Sequence, residues 1–146
     1  MSGAAGWPVA APFVVERVAG PDDIDAFDHV NNLVYPAWAL DAAWAHSAAL
    51  GVTMATYRDL GAGFVVQRHD FTYAAPVLLG ERVQVATWIA DTDARVRLRR
   101  AYAFRKADGA ICFRGETLFV CVDMRTGKPT RMPPPLRDAY RAAAPI

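Results

Sequence analysis

The sequence predicts an α+β domain built from one antiparallel sheet and one principal helix. Three features carry that reading. A short strand-forming run comes first, a long Ala-, Leu- and Trp-rich stretch follows, and then come four runs rich in Val, Phe, Tyr and Thr. Successive strand-type runs joined by short turns pair antiparallel, and an apolar helix gives such a sheet something to cover.

The 146 residues fit a single domain, 1–146, long enough to bury a core. Residues 1–10 read as a loose arm, and 13–18 form the first strand candidate. The cluster Gly20-Pro21-Asp22-Asp23 then turns the chain. Between 33 and 50 the helical positions 34, 37, 38, 41 or 42, 45, 48 and 49 fit an apolar period of about 3.6 residues. So little of this stretch is polar that the helix is expected to be buried on most sides. It should begin near Asn32 or Leu33 with an Asn side chain as N-cap, hold Pro36 in its first turn, and end at Gly51. A polar connection through Tyr57, Arg58 and Asp59 follows. Strands are expected over 63–73, 81–90, 95–105 and 111–123, the last three as a meander. Pro76 with Gly80, Asp91-Thr92-Asp93 and Asp108-Gly109 supply the turns. The tail 132–146 opens with three consecutive prolines ahead of a short helix over 136–143.

Sixteen basic against fifteen acidic residues give a net charge of +1, which offers no electrostatic case for nucleic acid or a membrane surface. No apolar run is long enough to span a bilayer. The first fifteen residues carry no Lys or Arg and are broken by Pro8 and Pro12, so they make a poor signal peptide. A cytoplasmic location is expected. Cys112 and Cys121 stand nine apart in one strand, on opposite faces if it is regular, and read as two small buried hydrophobes in a reducing compartment. No metal is expected. Asp22, Asp23, Asp25 and Asp28 fail as a calcium loop, because Phe27 and Val34 fall where ligands belong. His29, His46 and His69 lack metal-ligand spacing.

The chemistry-bearing residues crowd the segment Asp25-Ala26-Phe27-Asp28-His29-Val30-Asn31-Asn32, just before the helix. A helix N-terminus offers unpaired backbone N–H groups and a positive dipole end to anything anionic. Continued through Leu33-Val34-Tyr35-Pro36-Ala37-Trp38, this segment resembles the pattern D-x-x-G-H-V-N-N-x-x-Y-x-x-W of hotdog-fold acyl-CoA thioesterases of the 4-hydroxybenzoyl-CoA thioesterase-like group. Phe64-Val65-Val66-Gln67-Arg68, Tyr73 with Pro76, Gly80-Glu81 and Thr126-Gly127-Lys128-Pro129 resemble family positions in the same order. Asp28 stands where the pattern has glycine, a second carboxylate that either faces solvent or repels Asp25.

The resemblance implies a sheet wrapped around a central helix and hydrolysis of an acyl-CoA thioester. Asp25 would be the catalytic carboxylate, as general base or as nucleophile. His29, Asn32 and Tyr35 would hold the oxyanion or substrate, Asn32 through its main chain. It further implies a homodimer or homotetramer with the site at the interface, acyl-CoA or acyl carrier protein as substrate partner, and no cofactor. Tyr35, Trp38 and Trp44 read as core residues ahead of pocket residues, and His29 as a peg bonded to neighbouring backbone ahead of a participant. Arg97 and Arg99 alternate with Arg95 on one strand face, either solvated or holding coenzyme A phosphates. Two alternatives remain: a non-catalytic acyl-binding domain on this fold, and a hydratase, whose Asp-to-His separation of five is four here.

Overall fold

β1 (Phe13–Val18), β3 (Arg82–Thr92), β4 (Arg97–Lys106), β5 (Ile111–Asp123) and β2 (Ala62–Tyr73) lie side by side in that order, all antiparallel. The computed structural model describes residues 6–145. The meander β3–β4–β5 is the one its turn residues predict. Gly109 takes φ +89° in the last hairpin, a conformation that glycine adopts without strain. β2 stands at the far edge beside β5, so β1 and β2 form the two sheet edges.

α1 (Val34–Ala49) packs on one face of the sheet. Tyr35, Trp38, Ala39 and Ala42 meet Val83, Val85, Tyr102, Phe104 and Phe113 there. The alanines let the helix approach closely, and each buried large apolar side chain contributes about 1.5–3 kcal/mol. Gly51, at φ +84°, ends the helix one residue after its C-cap Leu50.

Several expectations are corrected. The helix is not buried on most sides: the sheet covers one flank, and Leu40 and Trp44 on the other are 56% and 43% exposed. The expected polar connection contains a second helix, α2 (Met54–Leu60). The Thr53 N–H donates to Thr56 Oγ1 at 3.0 Å at its start, and Gly61 closes it at φ +68°. The short terminal helix, α3 (Pro134–Ala139), lies two residues earlier than expected and stops sooner, because prolines fit a first turn that needs no N–H.

The arm is not loose where it is described, residues 1–5 lying outside the described part. Trp7 and Val9 are buried against Ala86, Trp88, Ala101 and Ala103 on the outer face of the sheet. Val9 also pairs with Pro145, and the Ala10 N–H donates to the Ala144 carbonyl at 3.2 Å. The two cysteines do not face opposite ways. Pairing passes from Phe104 opposite Phe113 to Arg105 opposite Ile111, so Cys112 is the extra residue of a bulge and joins Cys121 on the core side. Both are free thiols.

Candidate active site

The segment before α1 is a tight, internally bonded loop. A short 3₁₀ turn at Pro21–Asp23 leads into it, and Ile24 and Val30 bridge across its neck. The Asp25 N–H donates to the His29 carbonyl at 2.9 Å, and the Asp28 N–H to the Asp25 carbonyl at 3.0 Å. Asp25 Oδ1 accepts the Phe27 N–H at 2.9 Å, an Asx turn that fixes the carboxylate while leaving Oδ2 without an acceptor role inside the loop. The Val30 N–H donates to the Val77 carbonyl at 2.8 Å and ties the loop to the segment before β3. Asp25 is half-buried; Asp28, His29 and Asn32 are exposed.

Asp28 has φ +61°, one of two described non-glycine residues with positive φ. The turn demands a left-handed residue here, which explains the glycine of the related pattern. Asp is among the few side chains that tolerate it.

The helix approach presents a free donor among the described residues. Asn31 Oδ1 accepts the Leu33 N–H at 2.9 Å and the Asn31 carbonyl accepts the Val34 N–H at 2.9 Å. The side-chain bonding thus comes from Asn31, not from a cap on the helix itself, whose N-cap Leu33 has no side-chain bond. In a planar trans peptide the C=O and N–H point oppositely. The Asn31 carbonyl faces the helix, so the Asn32 N–H faces away from it, and among the described residues it has no acceptor. The Asn32 carbonyl is held by the Tyr73 hydroxyl at 3.0 Å.

The remaining expected residues separate from this group. Tyr35 is 3% exposed, stacked on Phe113 and Phe104 with ring centroids 5.4 and 6.1 Å away. Its position near the start of α1 turns it inward into the core, and burial raises its pKa. The His29 ring has no hydrogen-bond partner among the described residues; the loop is pegged by its backbone carbonyl instead. Arg97 and Arg99 lie on the exposed side of β4. The Arg97 Nη1 donates to Gln67 Oε1 at 2.9 Å, and Arg99 pairs with Asp91 at 3.4 Å.

A cavity of about 520 Å³ opens between the second half of α1, α2 and the first residues of β2. Trp44, Met54, Phe64 and Phe119 make it apolar, Tyr57, Tyr140, Ser47 and Arg100 are among its polar residues, and the Asp123 carboxylate, which accepts the Arg125 and Thr126 N–H groups, also lines it. Asp25, His29 and Asn32 do not line it. Trp44 is therefore a cavity residue more than a core one. Arg100, 3% exposed, was legible from strand alternation, which sets it opposite Arg97 and Arg99 on the side of Leu98 and Tyr102. Among the described residues no cluster of three His, Cys, Asp or Glu side chains is placed to hold a metal ion, and no helix is long and apolar enough to cross a membrane.

A family model described as the thioesterase-like superfamily matches residues 19–140. No curated protein sequence matches the chain. Among solved structures, the chain resembles a Staphylococcus aureus protein solved in complex with CoA, at 18% identity and TM-score 0.85, over 94% of this chain and 89% of that one. A 1,4-dihydroxy-2-naphthoyl-CoA thioesterase from Synechocystis gives 20% identity and TM-score 0.79, over 88% and 95% of the two chains. A DHNA-CoA thioesterase from Staphylococcus aureus gives 23% identity and TM-score 0.79, over 88% of each chain.

Proposed function

From the premise that this chain belongs to the thioesterase-like superfamily, we propose that it hydrolyses an acyl-CoA thioester, with Asp25 as the catalytic carboxylate. The observation that carries the reading is the pairing of a fixed carboxylate with a fixed, unpartnered donor. Asp25 is held by the Phe27 N–H, and the Asn32 N–H points away from the helix it introduces. Water attacking the thioester carbonyl would pass a proton to Asp25, and the oxygen that gains charge would be met by the Asn32 N–H at the positive end of α1. Collapse breaks the C–S bond and expels the thiolate, a leaving group with a pKa near that of cysteine that needs no dedicated acid. A direct attack by Asp25, forming a mixed anhydride that water then opens, uses the same two groups. The exposed His29 would meet substrate as it crosses the loop, and no cofactor is required.

In one chain this loop stands open. Phe27 and Leu33 beside it are 82% and 73% exposed, and the cavity lies toward the other end of α1. We place a second copy of the chain across β2. That strand runs from the cavity at Gly63 and Phe64 to the loop at Tyr73, and its outer edge has no partner among the described residues. A two-fold axis would pair it antiparallel with its own copy and set one chain's Asn32 beside the other chain's cavity. The acyl part would then enter the cavity while Arg97 and Arg99 reach the coenzyme A phosphates from the outer surface. We place the protein in the cytoplasm, a reducing compartment that suits free thiols such as Cys112 and Cys121.

Thiol release measured over a panel of aliphatic and aromatic acyl-CoA substrates tests the reading. Wild type should turn over at least one member, and Asp25→Asn should lower kcat by about a hundredfold or more. Equal rates for the two proteins would remove Asp25 from the chemistry.

A further inference from the structure

Arg100 is a buried cation without an anion. It is 3% exposed, and among the described residues it forms no ion pair. A guanidinium has five N–H donors. The two bonds recorded for this one both leave Nη1, to His46 Nδ1 at 2.9 Å and to Thr87 Oγ1 at 3.1 Å. Nε and Nη2 have no acceptor among the described residues. Because the guanidinium donates, His46 Nδ1 accepts, and the ring is neutral with its proton on Nε2. The adjacent groups add no negative charge. Tyr140 places its ring 5.9 Å from the guanidinium carbon, and its hydroxyl lies 2.5 Å from the Tyr57 hydroxyl and 2.7 Å from Ser47 Oγ. Burial pushes the Tyr57 phenol well above its ordinary pKa, so it does not serve as a counter-ion.

A charge taken out of water is costly unless it is paired. This one lines a cavity whose other walls are mostly apolar. The arrangement fits a ligand with an apolar body and an anionic far end, the guanidinium matching a carboxylate in two parallel bonds. Resting on the acyl-CoA hydrolase reading, we propose that the cavity selects acyl groups whose far end carries a carboxylate, seated on Arg100 with the Tyr57, Tyr140 and Ser47 hydroxyls around it. The substrate class is then the half-thioesters of aliphatic dicarboxylic acids, and the product a dicarboxylic acid.

The test compares matched chains: adipoyl- with hexanoyl-CoA, suberoyl- with octanoyl-CoA, and sebacoyl- with decanoyl-CoA. In wild type, kcat/KM should favour the carboxylate-ended member of at least one pair by on the order of ten- to a hundredfold, the range of a hydrogen bond to a charged group. In Arg100→Met and Arg100→Gln, whose folding is checked by circular dichroism, that ratio should fall to about one. Wild type treating every pair alike overturns the proposal, whether or not the variants fold. A preference that survives both substitutions in folded protein also overturns it. Calorimetric binding of suberoyl- and octanoyl-CoA to Asp25→Asn keeps the two readings apart. If nothing is hydrolysed but suberoyl-CoA binds more tightly through Arg100, the hydrolase reading fails and the anionic site stands. If hydrolysis is Asp25-dependent but indifferent to the far end, the hydrolase stands and this site falls.

Discussion

His46 lies on α1 with its ring stacked on Phe13, centroids 5.1 Å apart, and Nδ1 facing the Arg100 guanidinium. Burial first, and then that neighbouring positive charge, hold its pKa down at about 4 against an ordinary 6.5. The folded state therefore binds fewer protons than the unfolded one between those values. The contribution is complete above about pH 6.5 and is lost progressively as pH falls toward 4; the shift sets a ceiling of about 3 kcal/mol, which solvent screening of a half-buried ring reduces. Urea unfolding at pH 7, 5.5 and 4.5 checks it: wild type should lose more stability over this window than His46→Gln does. None of this was readable from the sequence, where His46 stands in a mostly apolar run, because its partner sits on a strand 54 positions later. The turn that holds Asp25 was readable, since its partners lie two to four positions away. The inward turn of Tyr35 agrees with its reading as a core residue, while Trp44, read the same way, lines the cavity, because nothing in so apolar a stretch marks which flank of the helix the sheet covers. Asp28 gains a physical explanation from a single backbone angle rather than from its charge.

At the scale of elements, β2 and β5 form the longest pairing, running from Ala62 opposite Asp123 to Tyr73 opposite Phe113. Gly115 sits in it opposite Phe71, and a Cβ built there would lie 2.4 Å from Phe71 Cδ1 and 3.1 Å from the Asp70 carbonyl. The Phe71 ring is itself fixed by stacking on His69, centroids 4.7 Å apart, and by Phe113 on the core side. Gly115→Ala should therefore destabilise the fold by about 1–3 kcal/mol, measured as a drop of several degrees in melting temperature. Strand positions were legible because Val, Phe and Tyr runs and turn residues are local signals. α2 was missed because its seven residues are too short for a helical period to emerge and its caps are a Thr pair and a glycine. That omission hid part of the cavity wall, since Met54 and Tyr57 belong to this helix.

For the whole molecule, the open flank of α1 and the free edge of β2 make the same demand. Val65 and Val66 on that edge are 48% and 50% exposed, and Leu40 and Trp44 leave apolar surface beside them. A long edge strand without proline, its outer side unpaired among the described residues, is a template for another strand, and in the proposed dimer that strand is its own copy. Sedimentation of wild type should give a dimer or a multiple of it. The double change Val65→Glu with Val66→Glu should give a monomer with its far-ultraviolet spectrum retained and its thioester hydrolysis lost. A folded, monomeric and fully active protein would contradict the shared site. The sequence announced the element order well, yet it could not reveal an incomplete surface, because burial within one chain and burial between two have the same composition. The long apolar helix, expected to be covered on most sides, was the visible trace of that surface.

The bridge between Val9 and Pro145 has a kinetic meaning. It joins the two ends of the described chain, so forming it early would close the largest loop available, and it becomes inexpensive only once the strands between have assembled. The cover over the outer face is then the last part to arrive. Until Trp7 docks, Ala86, Trp88, Ala101 and Ala103 present a bare apolar strip to water. A chain that has formed its sheet but not this bridge therefore exposes the strip, on the side away from α1, to contact with other chains.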